Sequence, residues 1–114
     1  MNLQVLEKKD RYSILLQIYG DLLTEINKRR LEYFYFEDLS LFEIAENENV
    51  SRNAIFQSIK IGEKELDKYE EILHIYKNIL GINKELELLT KEDNKDIINK
   101  IKEKYLYGIW ITWK

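Results

Sequence analysis

The apolar residues of this chain recur mainly at intervals of three and four, the spacing of one face of an α-helix. The face nearest the N-terminus comprises Tyr12, Leu15, Leu16, Tyr19, Leu22 and Leu23. Thr24 is placed to cap a second helix, in which Leu31, Phe34 and Tyr35 supply the apolar positions. The apolar spacing in this first part of the chain therefore predicts an all-α protein.

Two capping signals follow at close range. Ser40 has Glu43 three residues on, which is the spacing of a capping box, and predicts a short helix from Leu41 to about Glu48. Ser51 predicts the cap of another helix that begins at Arg52. Two helices joined by three or four residues form a helix-turn-helix, a unit that in many proteins binds DNA.

The residue types around this turn suit that motif. Ala45 is small enough for a close helix crossing, Val50 is expected to plug the core from the turn, and Ile55 and Ile59 are expected to pack inwards. The outward positions carry polar, basic or aromatic side chains, and no carboxylate occurs from Ser51 through Gly62. The predicted DNA-facing residues are Ser51, Arg52, Asn53, Phe56, Gln57, Lys60 and Lys64. Such side chains bond base edges and phosphates, although an ordinary helical hairpin with a solvated polar face has the same pattern.

A longer regularity follows the turn. Positions at alternating steps of four and three form a heptad seam: Ile55, Ile59, Gly62, Leu66, Tyr69, Leu73, Tyr76 and Leu80. The seam predicts one helix from residue 52 to residue 80, about 43 Å long, with Gly81 as its left-handed cap. We expect residues 62–80 of the seam to form a dimer interface or to pack on the C-terminal segment.

The C-terminal third is expected to be helical as well. Leu86, Leu88 and Leu89 suggest a short piece, and Asp93 or Asn94 is placed to cap a last helix. The tail YLYGIWITWK is densely apolar and is expected to be buried rather than exposed as an adhesive patch. We divide the chain into residues 1–61, a helix-turn-helix bundle, and residues 62–114, a dimerisation or packing region, within one compact unit.

Composition narrows the classes of function. The chain has 114 residues, a net charge of −3 and no cysteine, so thiolate metal sites and cysteine catalysis are excluded. With no glycine-rich phosphate loop and one histidine, we predict a protein that is not an enzyme and needs no cofactor. No apolar run reaches the length of a membrane span and no signal peptide is evident, so we expect a soluble cytoplasmic protein.

Two further groups of residues could carry chemistry. Lys28, Arg29 and Arg30 form the basic triplet of the chain and are candidate phosphate contacts, although a solvated helix face is the simpler interpretation. Glu71 and His74 have the Glu-x-x-His spacing of helical di-iron sites. Such a site needs two of these motifs, so we predict no metal and interpret His74 as a helix-surface or interface residue.

The segment SLFEIAENENVSRNAIFQSI, with EKELDKYEEILHIY after it, resembles the YlxM family of small bacterial helix-turn-helix proteins. The resemblance covers roughly residues 10 to 80. Asn49 and Glu48 depart from the glycine and the apolar residue usual there. The family is related to region 4 of sigma factors, so the resemblance implies a sigma-region-4-like bundle with Ser51, Arg52, Asn53, Gln57 and Lys60 towards DNA.

The resemblance also implies a role in regulation. Genes of the YlxM family commonly neighbour those of signal recognition particle components, which are therefore expected partners beside DNA and a second copy of the chain. The alternative is an adaptor that keeps the helix-turn-helix shape and binds protein instead of DNA. Neither interpretation includes a small-molecule substrate or a membrane.

Overall fold

The protein is helical throughout the part that its computed structural model describes, residues 3–89 and 94–106, with side chains placed in residues 8–89 and 94–104. The helices are α1 (Leu3–Tyr19), α2 (Glu25–Tyr35), α3 (Leu41–Glu48), α4 (Arg52–Leu73), α5 (Ile75–Leu88) and α6 (Asn94–Ile101). A short 3-10 turn, Gly20–Leu22, follows α1, and a π-helical segment, Lys102–Leu106, follows α6. The predicted all-α fold is confirmed.

The chain divides into two compact units, and the division along the sequence falls between His74 and Ile75. The first unit holds α1 to α4, and the second holds α5 and α6. The boundary that the sequence suggested, after residue 61, lies inside α4. Helix α4 runs through that position because it is the element on which the rest of the first unit packs.

Helix α4 is the centre of the first unit, since α1, α2 and α3 all pack against it. The buried apolar residues of this unit are Leu15, Leu16, Tyr19, Leu23, Leu31, Tyr35, Ile44, Ala45, Ile55, Ile59 and Leu66. They lie at the helical spacing read from the sequence, and each large side chain so buried contributes about 1.5–3 kcal/mol by the hydrophobic effect. The predicted inward faces of α1 to α4 are thus largely confirmed.

Gly62 marks the closest approach of α2 to α4. A β-carbon added at this glycine would lie 2.5 Å from Cδ1 of Leu31, a residue with no exposed surface. Helix α4 continues through Gly62 without interruption, and the φ angle of Gly62 is not positive. The glycine is therefore needed for space rather than for backbone freedom.

The prediction of one continuous helix from residue 52 to residue 80 is wrong at His74, where the structure has two helices instead. Helix α4 ends at Leu73, and His74 adopts the left-handed conformation with φ of 56°, its amide bonding the carbonyl of Glu70 at 2.8 Å. Helix α5 then runs through Gly81, which is not a left-handed cap. Left-handed caps are usually glycine or asparagine, so the sequence carries no ordinary signal for a helix end at His74. The heptad spacing also continues past this residue.

The second unit is described by α5 and α6, which contact each other. Ile97 on α6 is buried, whereas α5 has no buried residue. The predicted last helix is confirmed at Asn94, but the side chains of Tyr105 and Leu106 and all of residues 107–114 lie outside the described part. Within the described ranges, no helix combines the length and the apolar character that a membrane span requires.

Candidate nucleic-acid interface

The turn between α3 and α4 has the geometry of a tight helix-turn-helix. Ser40 and Glu43 form the predicted capping box at the start of α3. At its end Asn49 is left-handed with φ of 60°, its amide bonds the carbonyl of Glu46, and the amide of Val50 bonds the carbonyl of Ala45 at 3.0 Å. This is a Schellman ending, in which asparagine replaces the usual glycine. Three residues, 49–51, therefore suffice to connect the helices.

The core beneath the turn differs from the prediction in one residue. Ala45, Ile44 and Ile55 are buried as expected, but Val50 is 39% exposed and does not plug the core. The amide of Val50 is used in the Schellman ending, while its side chain remains at the surface. The hydroxyl of Ser51 accepts a hydrogen bond from the amide of Ala54 at 3.0 Å, which confirms the predicted cap of α4.

The side chains predicted to face DNA all lie on the exposed side of α4. The exposed residues of this group, which we name the α4 strip, are Ser51, Arg52, Asn53, Phe56, Gln57, Lys60 and Lys64. No part of the described chain covers Asn53, Gln57 or Lys60. Because Asn and Gln bond adenine edges and Arg and Lys bond guanine or phosphate, the strip presents the side chains that direct readout uses.

Lys68, which the sequence predictions did not include, extends the basic side of α4 beyond the strip. Lys68 is exposed and follows Lys60 and Lys64 at helical steps of four, so the three ammonium groups share one side of α4. Nearer the turn, the ammonium of Lys60 lies 5.6 Å from the centroid of the Phe56 ring, a cation–π distance. The spacing of four from Lys60 through Lys64 to Lys68 is the sequence signal of this shared side.

The first carboxylate after the turn, on Glu63, does not face outward. Its side chain is buried, and its Oε1 accepts a hydrogen bond from the Tyr35 hydroxyl at 2.7 Å. Burial, with the hydrogen bond to Glu63 next in size, raises the pKa of Tyr35 well above its usual range. Lys8 and Lys60 each have their ammonium 3.9 Å from Oε2 of the same carboxylate. The negative charge of Glu63 thus has two lysine ammonium groups at the surface beside it.

The basic triplet on α2 is largely engaged by acidic neighbours. Lys28 bonds Asp21 at 2.6 Å, and this hydrogen bond holds the pKa of the Asp21 carboxyl below its usual range. Arg30 donates from Nε to both oxygens of Glu48 at 3.1 Å and from Nη2 to Oε1 at 2.9 Å. With only 13% and 17% of their side chains exposed, Arg30 and Glu48 join α2 to α3. Arg29 is exposed, so it is the member of the triplet best placed for phosphate.

The heptad seam is divided between the core and the surface. Gly62 and Leu66 are buried in the first unit, and Tyr69 is half-buried with its hydroxyl 3.3 Å from the carbonyl oxygen of Leu22. Leu73 and Leu80 are exposed, and Tyr76 is half-buried. The part of the seam from Gly62 to Leu66 is therefore occupied by the packing of α1 and α2 on α4.

The Glu-x-x-His pair lies at the surface. Glu71 and His74 are both exposed, and His74 forms the left-handed end of α4. Among the side chains of residues 8–89 and 94–104, no three of His, Cys, Asp or Glu group closely enough to hold a metal ion. The backbone of His74, rather than a contact of its side chain, forms the end of α4.

Comparison with known proteins identifies the family to which the chain is similar. Residues 6–108 match the family UPF0122, described as "Putative helix-turn-helix protein, YlxM / p13 like". UPF0122 protein YofM of Lactococcus lactis is 41% identical over 100 residues, which cover 86% of this chain and 90% of the relative. A UPF0122 protein of Clostridium kluyveri is 38% identical over 111 residues, covering 91% of this chain and all of the relative. UPF0122 protein FN1394 of Fusobacterium nucleatum is 46% identical over 92 residues, covering 81% and 89%.

Proposed function

This chain belongs to the UPF0122 family of YlxM/p13-like helix-turn-helix proteins, and from that premise we propose that it is a non-catalytic regulator that binds duplex DNA. The observation that carries the proposal is the α4 strip, which is exposed along its whole length and lacks an outward carboxylate from Ser51 to Gly62. Such a strip is unusual in a chain with 21 acidic residues and a net charge of −3. DNA binding depends on local positive charge, so the charge of the α4 strip matters more than the net charge of the whole chain.

The proposed mechanism places the first half of α4 in the major groove. Residues 52–64 span about 18 Å of helix, and the major groove of B-DNA is about 12 Å wide. Asn53 and Gln57 would read base edges, Phe56 would contact thymine methyl groups, and Arg52 and Lys60 would bond guanine or phosphate. Lys64 and Lys68, further along α4, would reach the phosphates that border the groove. Arg29 is the proposed phosphate contact from α2.

Fluorescence anisotropy with a labelled library of random duplexes tests this proposal. We expect binding by the wild-type chain and loss of binding in Arg52→Glu and Lys60→Glu. Lys84→Glu, at an exposed position on α5, is the matched charge control and should bind as the wild type does. Circular dichroism shows that each variant is folded. Equal binding by all three variants would contradict a role for the α4 strip.

A protein-binding adaptor on the same scaffold is the second candidate. The observation in its favour is the acidic outer side of α3, where Glu43 and Glu46 are exposed beside the strip and would repel a phosphate backbone. The family resemblance extends this candidate to components of the signal recognition particle. Co-purification of a protein partner from native lysate after nuclease treatment, with no shift on any duplex, would favour the adaptor.

We also propose a homodimer formed by apolar residues that the two units leave exposed. Leu80 on α5 is 51% exposed, and Leu73 at the end of α4 is 48% exposed. Two copies of α4 about 34 Å apart would then address successive turns of one duplex face. Sedimentation should show a dimer for the wild-type chain and a monomer for Leu80→Asp. A wild-type monomer at all concentrations, or a dimer that Leu80→Asp leaves intact, would contradict the dimer.

A further inference from the structure

An open groove lies beside the α4 strip, within the first unit. Its volume is about 710 Å³, which falls in the range of sites that bind small organic molecules. Its walls come from α1, the end of α2, the segment between α2 and α3, the first residue of α3, and α4. The apolar wall residues are Phe34, Leu39, Leu41, Phe56 and Ile59. The groove is therefore suited to the apolar body of a ligand.

Charged groups at the edge of the groove restrict the ligand further. The groove is lined by three lysines and two carboxylates, those of Lys8, Lys9, Lys60, Asp38 and Glu63. The ammonium of Lys9 bonds the carboxylate of Asp38. Lys8 and Lys60 share the single carboxylate of Glu63, at 3.9 Å each. One positive charge at this edge is therefore left without a compensating carboxylate of the groove.

The two lysines that share Glu63 are placed to hold an anion. Their side chains are 53% and 48% exposed, whereas that of Glu63 is 9% exposed. Because each ammonium lies 3.9 Å from the same Oε2, the two are at most twice that distance apart. The Tyr35 hydroxyl occupies the other oxygen of Glu63. One further carboxylate, supplied by a ligand from solvent, would balance the positive charge of Lys8 and Lys60 that Glu63 leaves uncompensated. It would lie next to the apolar wall.

We propose that this groove binds an organic monocarboxylate with an apolar body, such as a fatty acid. The alkyl chain lies against Phe34, Leu41 and Ile59, and the carboxylate lies between Lys8 and Lys60. A single negative charge matches the one positive charge that the edge leaves over. A ligand of the same length with a cationic head would meet repulsion from both lysines.

A ligand in the groove would affect DNA binding by the α4 strip, and this step rests on the function proposed above. Phe56 and Lys60 belong both to the groove and to the α4 strip. A carboxylate held by Lys60 and an alkyl chain against Phe56 would remove these side chains from a duplex. The ligand and DNA therefore exclude each other, and the groove acts as a regulatory site of the DNA-binding face.

Titration with decanoate below its micelle concentration tests the site, with decylammonium as the probe of equal chain length and opposite charge. We expect methyl resonances of Leu39, Leu41 and Ile59 to shift with decanoate, and affinity for decylammonium to be at least about tenfold weaker. Leu39→Asp should abolish binding, and Leu86→Asp, at an exposed apolar position on α5, should not. If Leu39→Asp unfolds, Lys60→Gln at the surface should still weaken decanoate by roughly tenfold.

Three results would overturn the groove assignment. They are equal affinity for both probes, shifts confined to residues outside the groove, and unchanged decanoate affinity in Lys60→Gln. A competition titration with labelled duplex then separates the two proposals, because decanoate binding is measured without DNA. Decanoate in the groove with no duplex binding by the protein would contradict the DNA function and support the ligand site. Decanoate and duplex bound together would overturn the mutual exclusion.

Discussion

The hydroxyl of Tyr35 on α2 donates a 2.7 Å hydrogen bond to the buried carboxylate of Glu63 on α4. The bond holds Glu63, the first carboxylate after the turn, inside the fold and away from the surface that carries Lys60 and Lys64. It also joins α2 to the helix that carries the proposed DNA contacts. The position of the α4 strip therefore depends on a polar contact inside the first unit, as well as on the apolar core.

The same contact occurs twice more along α4. Tyr12 donates to Oδ2 of Asp67 at 2.6 Å, and Tyr19 donates to Oε1 of Glu70 at 2.6 Å. The acceptors Glu63, Asp67 and Glu70 follow one another at helical steps of four and three, so they share the side of α4 that faces α1 and α2. Glu63 and Glu70 are buried and Asp67 is half-buried, and the hydrogen bond that each carboxylate accepts limits the cost of burying charge.

Replacing Tyr35 by Phe should destabilise the protein. The variant keeps the ring but leaves the buried Oε1 of Glu63 without its donor, a loss of about 1–3 kcal/mol in the free energy of unfolding. Urea unfolding followed by circular dichroism measures it. Tyr33→Phe, at a half-buried position on the same helix, is the matched control and should change stability by less. Equal stability of the two variants would show that the bond contributes nothing.

Alkaline pH should destabilise the first unit. Burial, together with the hydrogen bonds to Asp67 and Glu63, raises the pKa of Tyr12 and of Tyr35 above the ordinary tyrosine value. The folded chain keeps these protons where the unfolded chain loses them, so stability is intact below about pH 10 and falls as the pH rises above that value. Urea midpoints measured across this range should fall. The fall should be shallower in Tyr35→Phe, and an identical slope would contradict the assignment.

Gly62→Ala should destabilise the protein although alanine favours helix. The new β-carbon would lie 2.5 Å from Cδ1 of the buried Leu31, and overpacking of this kind costs about 1–3 kcal/mol. Gly81→Ala, at a half-exposed position within α5, should instead stabilise by up to about 1 kcal/mol through helix propensity. Thermal unfolding of both variants gives the comparison. Stabilisation by Gly62→Ala would mean that α2 and α4 are further apart.

His74→Gly should stabilise the chain. The left-handed conformation costs a residue with a β-carbon about 1–2 kcal/mol relative to glycine, less the greater entropy that glycine loses on folding. Asn49→Gly at the end of α3 is the control, and its effect should be smaller because asparagine tolerates this conformation. Differential scanning calorimetry shows the order. Destabilisation by His74→Gly would indicate that the imidazole itself holds the end of α4.

Local chemistry made much of the first unit predictable. The caps at Thr24, Ser40 and Ser51 act between residues three apart, and all three form as expected. The exposed side of α4 follows from the same local logic, since a helix of known start fixes which residues face outward. The DNA-facing role of these residues is still a prediction, because exposure alone does not identify a ligand.

The remaining features depend on partners distant in sequence. Tyr35 and Glu63 are 28 residues apart, and Arg30 and Glu48 are 18 residues apart, so neither pair shows a periodic signal. The Arg30 pair also gives Glu48, an acidic residue at the end of α3, a partner on α2. His74 ends α4 although the apolar spacing continues past it, and no glycine, asparagine or proline marks the position.

The salt dependence of duplex affinity tests the central claim most directly. If the α4 strip contacts phosphates, the logarithm of the association constant falls linearly with the logarithm of salt concentration. Lys64→Ala should then reduce the slope by about 1, the value for one lost phosphate contact, while Lys84→Ala on α5 leaves it unchanged. Slopes that are the same for the wild type, Lys64→Ala and Lys84→Ala, or a wild-type chain that binds no duplex at low salt, would contradict the account.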